Sequence, residues 1–102
     1  MKKFTRSLER HRGIIFATTT KQGVGAVHLR HKLPFYRLKR IAESMHLLLY
    51  SDVRHHNHLQ FRTNNGGLIG TLVNLNLLLL PKYPKTKQQS VELAEALIES
   101  MP

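Results

Sequence analysis

The sequence predicts an α+β domain: two β-hairpins forming a four-stranded antiparallel or mixed sheet with helices packed on one face, in the order ββαββαα. Three observations predict it. Residues 58–63 (His-Leu-Gln-Phe-Arg-Thr) alternate between polar side chains and apolar or β-branched ones, the period of a strand with one face buried and one free. Residues 35–45 and 91–101 carry apolar side chains three and four apart, as in helices lying on a core. Turn residues, at Gly23 and again at Asn64-Asn65-Gly66-Gly67, stand where strands must reverse or end.

The first 12 residues set Lys2, Lys3, Arg6, Arg10 and Arg12 against a single acid, Glu9. Only Phe4 and Leu8, four apart, could anchor them, so this segment reads as a basic arm or a short helix, and residues 13–102 as a single domain. Residues 14–20 form the first strand, with Ile15, Ala17 and Thr19 on one face and Phe16, Thr18 and Thr20 on the other. Lys21-Gln22-Gly23 is a hairpin turn, the glycine supplying positive φ. The second strand, residues 24–31, sets Val27 and Leu29 against Ala26, His28 and Arg30. Pro34 suits the first turn of a helix whose buried stripe is Phe35, Leu38, Ile41, Ala42 and Met45. Residues 47–54 are the third strand, and 54–57 turn it into the fourth.

After the glycine loop, Leu68, Ile69, Leu72, Val73 and Leu75 recur at helical spacing, and Pro81 and Pro84 end that helix. Thr86 with Gln89 is a capping-box pattern, followed by a last helix with Val91, Ala94, Leu97, Ile98 and Met101 on one stripe.

At 102 residues and 41% hydrophobic content the chain can build one modest core. It has no cysteine, which excludes disulfides and thiolate metal sites. The apolar run Leu77 to Leu80 is too short to span a bilayer and the first residues hold no apolar signal core, so a soluble protein is expected. The formal charge is +10, unevenly spread: all 16 Lys and Arg fall at or before Lys87, with only Glu9, Glu43 and Asp52 opposing them, whereas the last helix holds Glu92, Glu95 and Glu99. Such a field is the footprint of a polyanion binder. The basic residues lie on several elements and do not form one amphipathic face, which argues against a membrane surface.

Lys85-Thr86-Lys87-Gln88-Gln89 and residues 97–102 (Leu-Ile-Glu-Ser-Met-Pro) resemble the last third of a LAGLIDADG homing endonuclease domain of the single-motif organellar-intron type. A helix, a basic turn with a lysine pair and a helix ending near Ile-Glu-x-Leu/Met-Pro follow in the same order. The similarity covers most of the chain at low identity and is better from Phe35 onward. It implies a LAGLIDADG-like half domain whose sheet lies over nucleic acid, with Lys87 at the edge of a DNA-cleavage centre. The chain departs from the family where metal is bound: Gly13 to Ala17 resembles the glycine and strand after the namesake motif, yet Arg12 stands in place of the metal-binding acid. Residues 5–11 lack both the small-residue pairing helix and a second Asp. An arginine cannot ligate Mg²⁺ and repels it. No catalytic residue, metal or cofactor is therefore expected, nor the family's homodimer.

His55-His56-Asn57-His58 superficially resembles an HNH nuclease but lacks the acid before the histidine and a ligand on a following helix. Adjacent strand histidines point to opposite faces; only His56 and His58 share one, and with no carboxylate or cysteine nearby they are expected to touch solvent or phosphate.

If the apolar positions face the helices, His28, Arg30, Arg54, Gln60 and Arg62 share the opposite face with His56 and His58. Lys21 and Gln22 lie at a hairpin tip, Lys32 lies just past the second strand, and Lys82, Lys85 and Lys87 form a phosphate-binding turn. Together with the arm these are the expected nucleic-acid contacts. The expected partner is structured RNA, rRNA foremost, with neighbouring ribosomal proteins; DNA is the alternative. The resemblance and the ribosomal-protein-like composition point to a structural component of an organellar ribosome, in the mitochondrion ahead of the plastid. An intron-encoded DNA endonuclease or RNA maturase that needs a partner chain is the competing expectation.

Overall fold

The computed structural model describes residues 14–19, 25–52, 54, 57–81 and 87–101. The α+β class is as expected, but the sheet is larger. The elements are β1 (Ile14–Thr19), β2 (Gly25–Leu29), α1 (Phe35–Ser44), β3 (Leu48–Ser51), β4 (His58–Arg62), β5 (Leu68–Val73), β6 (Leu77–Leu80) and α2 (Lys87–Glu99). They form one six-stranded sheet in the order β1-β2-β6-β5-β4-β3, with every neighbouring pair antiparallel.

The four-stranded sheet and the order ββαββαα are thus corrected to six strands and ββαββββα. The two expected hairpins, β1–β2 and β3–β4, do not touch. A third hairpin, β5–β6, stands between them where a helix from Leu68 to the stop at Pro81 was expected. Its turn has Asn74 at φ 52° and Leu75 at φ 65°, with the Asn76 amide donating to the Val73 carbonyl at 3.2 Å. Two successive left-handed residues match the twist of flanking strands and are incompatible with a helix. The β-branched Ile69, Thr71 and Val73 favour a strand, and Gly70 is a poor helix former. Leu78 and Leu80 are buried, while Leu77 and Leu79 are half-buried on the other side. With apolar side chains on both its core face and its open face, β6 has no polar alternation, so it reads as an apolar run.

One hydrophobic core lies between the sheet and the helices. Val27 and Leu29 of β2, Leu59 and Phe61 of β4, Ile69 and Leu72 of β5, and Leu78 and Leu80 of β6 meet Leu38, Ile41 and Ala42 of α1 and Leu93, Ala94, Leu97 and Ile98 of α2. Pro34 sits one residue ahead of its expected place, as N-cap of α1. Phe35 is half exposed and is not part of the buried stripe. On α2, Leu93 and Ser90 join the buried face, while Val91 and Met101 are only half-buried.

Helix α2 approaches the sheet closely at Gly70. A Cβ there would stand 3.0 Å from Leu93 Cδ2 and 3.2 Å from Leu78 Cδ1, so a side chain would require these leucine ends to give by a few tenths of an ångström, and glycine permits the close approach without that. Beside it the Ser90 hydroxyl donates to the Ile69 carbonyl at 2.8 Å, satisfying both buried groups where the β4–β5 register slips. At the far end of α2, Arg37 Nη1 donates to the Ser100 carbonyl at 2.9 Å and ties the two helices together.

Candidate nucleic-acid interface

The registers decide what the face away from the helices presents. Leu59, Phe61, Leu72, Leu78 and Val27 are buried in the core, so the residues alternating with them project from the opposite face. One row across the sheet runs Tyr50, Gln60, Thr71, Leu79, Ala26. The next runs His58, Val73, Leu77, His28. Arg62 pairs with Leu48 at the β3 edge. No described helix covers this face.

Of the expected contacts, the structure brings His28, His58, Gln60 and Arg62 together here. His28 Nε2 lies 3.3 Å from Asn76 Nδ2 in the β5–β6 turn. Arg62 is not the freely exposed cation expected from period two. It is half-buried, with Nε donating to Gln60 Oε1 at 3.0 Å and Nη1 to the Gly66 carbonyl at 2.6 Å. The cost of screening its stem is offset by two hydrogen bonds, and the same bonds fix the Gln60 rotamer and close the β4–β5 loop.

Arg30 and Arg54 were expected on the face itself. They fall beyond it, because β2 ends at Leu29 and β3 at Ser51, earlier than the apolar pattern suggests. Both are exposed in the connections at one end of the sheet, and the Arg54 amide donates to Asp52 Oδ1 at 2.9 Å. Lys32 is exposed at the same end and lines a cleft of about 340 Å³ with Phe35, Ser51, Asn57, Leu59, Asn74 and Leu75. Leu59 faces the core and Phe35 belongs to α1, so this cleft lies on the helix side of the sheet's end and not on the open face.

Lys2, Lys3, Arg6, Arg10, Arg12, Lys21, Gln22, His56, Lys82 and Lys85 lie outside the described residues. So does Thr86 of the expected capping box; Lys87 begins α2. Among the described residues, no three His, Asp or Glu side chains are grouped as a metal site, and no helix is long and apolar enough to cross a membrane.

Sequence reasoning missed Tyr50, 49% exposed on β3, and the central residues Thr71, Val73, Leu77 and Leu79. Tyr50 was legible in principle: it is the polar-edged aromatic at the middle of a predicted strand, one position from the apolar Leu49. The central four depend on recognising β5 and β6 as strands, which Gly70, Thr71 and Val73 within six residues could have signalled.

Comparison with protein-family models, with curated proteins and with solved structures finds no match for this chain.

Proposed function

We propose that this chain is a non-catalytic RNA-binding protein that meets RNA with the open sheet face and the basic connections beside it. In the narrower form of the proposal, it is a structural component of a mitochondrial ribosome, a degenerate LAGLIDADG-like domain that holds a polyanion without cutting it.

The observation that carries this reading is the placement of charge. All sixteen basic side chains precede or begin α2, while Glu92, Glu95 and Glu99 stand exposed on that helix, across the core from the open face. The sheet side therefore carries no acid from α2, and the exposed cations Arg30, Lys32 and Arg54 stand at its end. Basic residues also continue onto the outside of α1 through Lys39 and Arg40, both exposed. Cations on two sides suit a protein that RNA contacts from more than one direction, as in a ribonucleoprotein. The organellar setting and the absence of catalysis are supported by the resemblance and by Arg12 in the place of its metal-binding acid.

Sedimentation of the protein from its source tests the proposal. Co-migration with a ribosomal subunit through a high-salt gradient is the expected result. Association with one intron RNA alone points to a maturase, and Mg²⁺-dependent strand scission by the isolated chain overturns the non-catalytic reading.

A further inference from the structure

We infer that the open sheet face takes unpaired bases of single-stranded RNA, with Tyr50 as the stacking platform, and not the ridges of a duplex. This rests on the RNA-binding reading above and specifies its ligand.

The middle of the face is apolar. Half-buried Val73, Leu77 and Leu79 occupy adjoining positions in its two rows, with Tyr50 at one end of a row and the buried Ala26 at the other. A duplex presents phosphate ridges and sugar edges, which such a surface leaves unsatisfied. An unpaired base presents a π face, which an aromatic ring and aliphatic side chains match.

Tyr50 is poised for that contact. Its side chain is half exposed although it belongs to the sheet, and no described element lies over it. It pairs with Gln60, which places His58 on the diagonal, a separation of roughly 7–8 Å between backbone positions. Beside Tyr50, Gln60 is pre-set by its bond from Arg62, which occupies the amide oxygen and leaves the amide nitrogen to donate to a base acceptor. Cations are scarce on the face itself and gather at its end, where exposed Arg30 and Arg54 suit the phosphates of a strand whose bases lie inward.

The test compares a short oligo(U) with a blunt duplex RNA of equal charge, by anisotropy at one salt concentration. The wild-type chain is expected to bind oligo(U) more tightly. Tyr50→Ala is expected to weaken oligo(U) binding about tenfold, the loss of one stacked base, and to leave duplex binding unchanged.

Tyr50→Phe keeps the ring and serves as the folded control. The chain has three tyrosines and no tryptophan, so quenching of tyrosine emission by oligo(U) reports stacking directly. Tyr50→Phe should retain affinity and lose most of that quenching. A preference for duplex, or quenching unchanged in Tyr50→Phe, overturns the inference while leaving RNA binding in place. Failure to bind either RNA removes the reading on which it rests.

Discussion

The two faces of the sheet are built from the same strands and answer to different physics. In β4, Leu59 and Phe61 point into the core, while His58, Gln60 and Arg62 point away from it, each only partly screened. Dense packing determines what the first face tolerates; hydrogen bonding and charge determine it on the second. Neighbouring residues can thus carry stability and binding separately. Substitutions that keep to one face should divide cleanly between the two properties.

The sharpest test lies one residue apart. Phe61 is completely buried, so Phe61→Ala should cost about 3–5 kcal/mol, a large part of the 5–15 kcal/mol typical of a domain. Gln60→Ala removes only the acceptor for Arg62 Nε and should cost about 1 kcal/mol or less. Urea midpoints of the two variants measure the contrast, and comparable losses would mean that the open face is packed against something.

A second substitution probes the closest approach on the core side. Gly70→Val places carbon where Leu93 and Leu78 already stand, so overpacking should cost about 1–3 kcal/mol by the same measurement. An unchanged midpoint would mean that α2 does not lie so close to the sheet.

The opposite signature is expected from the connections beside the open face. Lys32→Glu with Arg54→Glu should leave the stability read from urea midpoints within about 0.5 kcal/mol of the parent, because both side chains are exposed. RNA affinity should fall, and the slope of log affinity against log salt should flatten by roughly 0.7 for each single-strand phosphate that is no longer neutralised. An unchanged slope would assign phosphate binding to other basic residues. Arg62 is the wrong choice for this test, since it also donates to the Gly66 carbonyl and its reversal would disturb the loop.

What was legible in the sequence follows the same division. Period two in residues 58–63 placed His58, Gln60 and Arg62 on one face and Leu59 and Phe61 on the other, because a strand with one partly solvated face keeps its polar alternation. The helices were legible from Leu38, Ile41 and Ala42 and from Ala94, Leu97 and Ile98. Arg62 was placed correctly but not understood: its bond to Gly66 depends on how the Asn64 to Gly67 loop folds back, which periodicity does not encode. Arg30 and Arg54 were displaced because strand ends are set by pairing partners and not by side-chain pattern. The central hairpin was misread because Val73, Leu77 and Leu79 put apolar side chains on its open face beside the core-facing Leu72 and Leu78, so polar alternation is lost. Side chains spaced to suit a helix then also suit two strands.

That ambiguity supplies the smallest and most discriminating prediction. Thr71 is half-buried on the open face, paired with Gln60 on one side and Leu79 on the other. In a strand, a β-branched side chain at such a position packs against its cross-strand neighbours, so Thr71→Val should stabilise by a few tenths of a kcal/mol and Thr71→Ala should destabilise within a range of about 1 kcal/mol. In a helix the order reverses, because alanine loses no side-chain entropy while valine loses rotamer freedom against the preceding turn. The rank of the two urea midpoints therefore reports the local backbone through its sign alone. Valine above threonine above alanine is the expected order, and alanine uppermost would return residues 68–75 to a helix and remove Val73, Leu77 and Leu79 from the face proposed to receive bases.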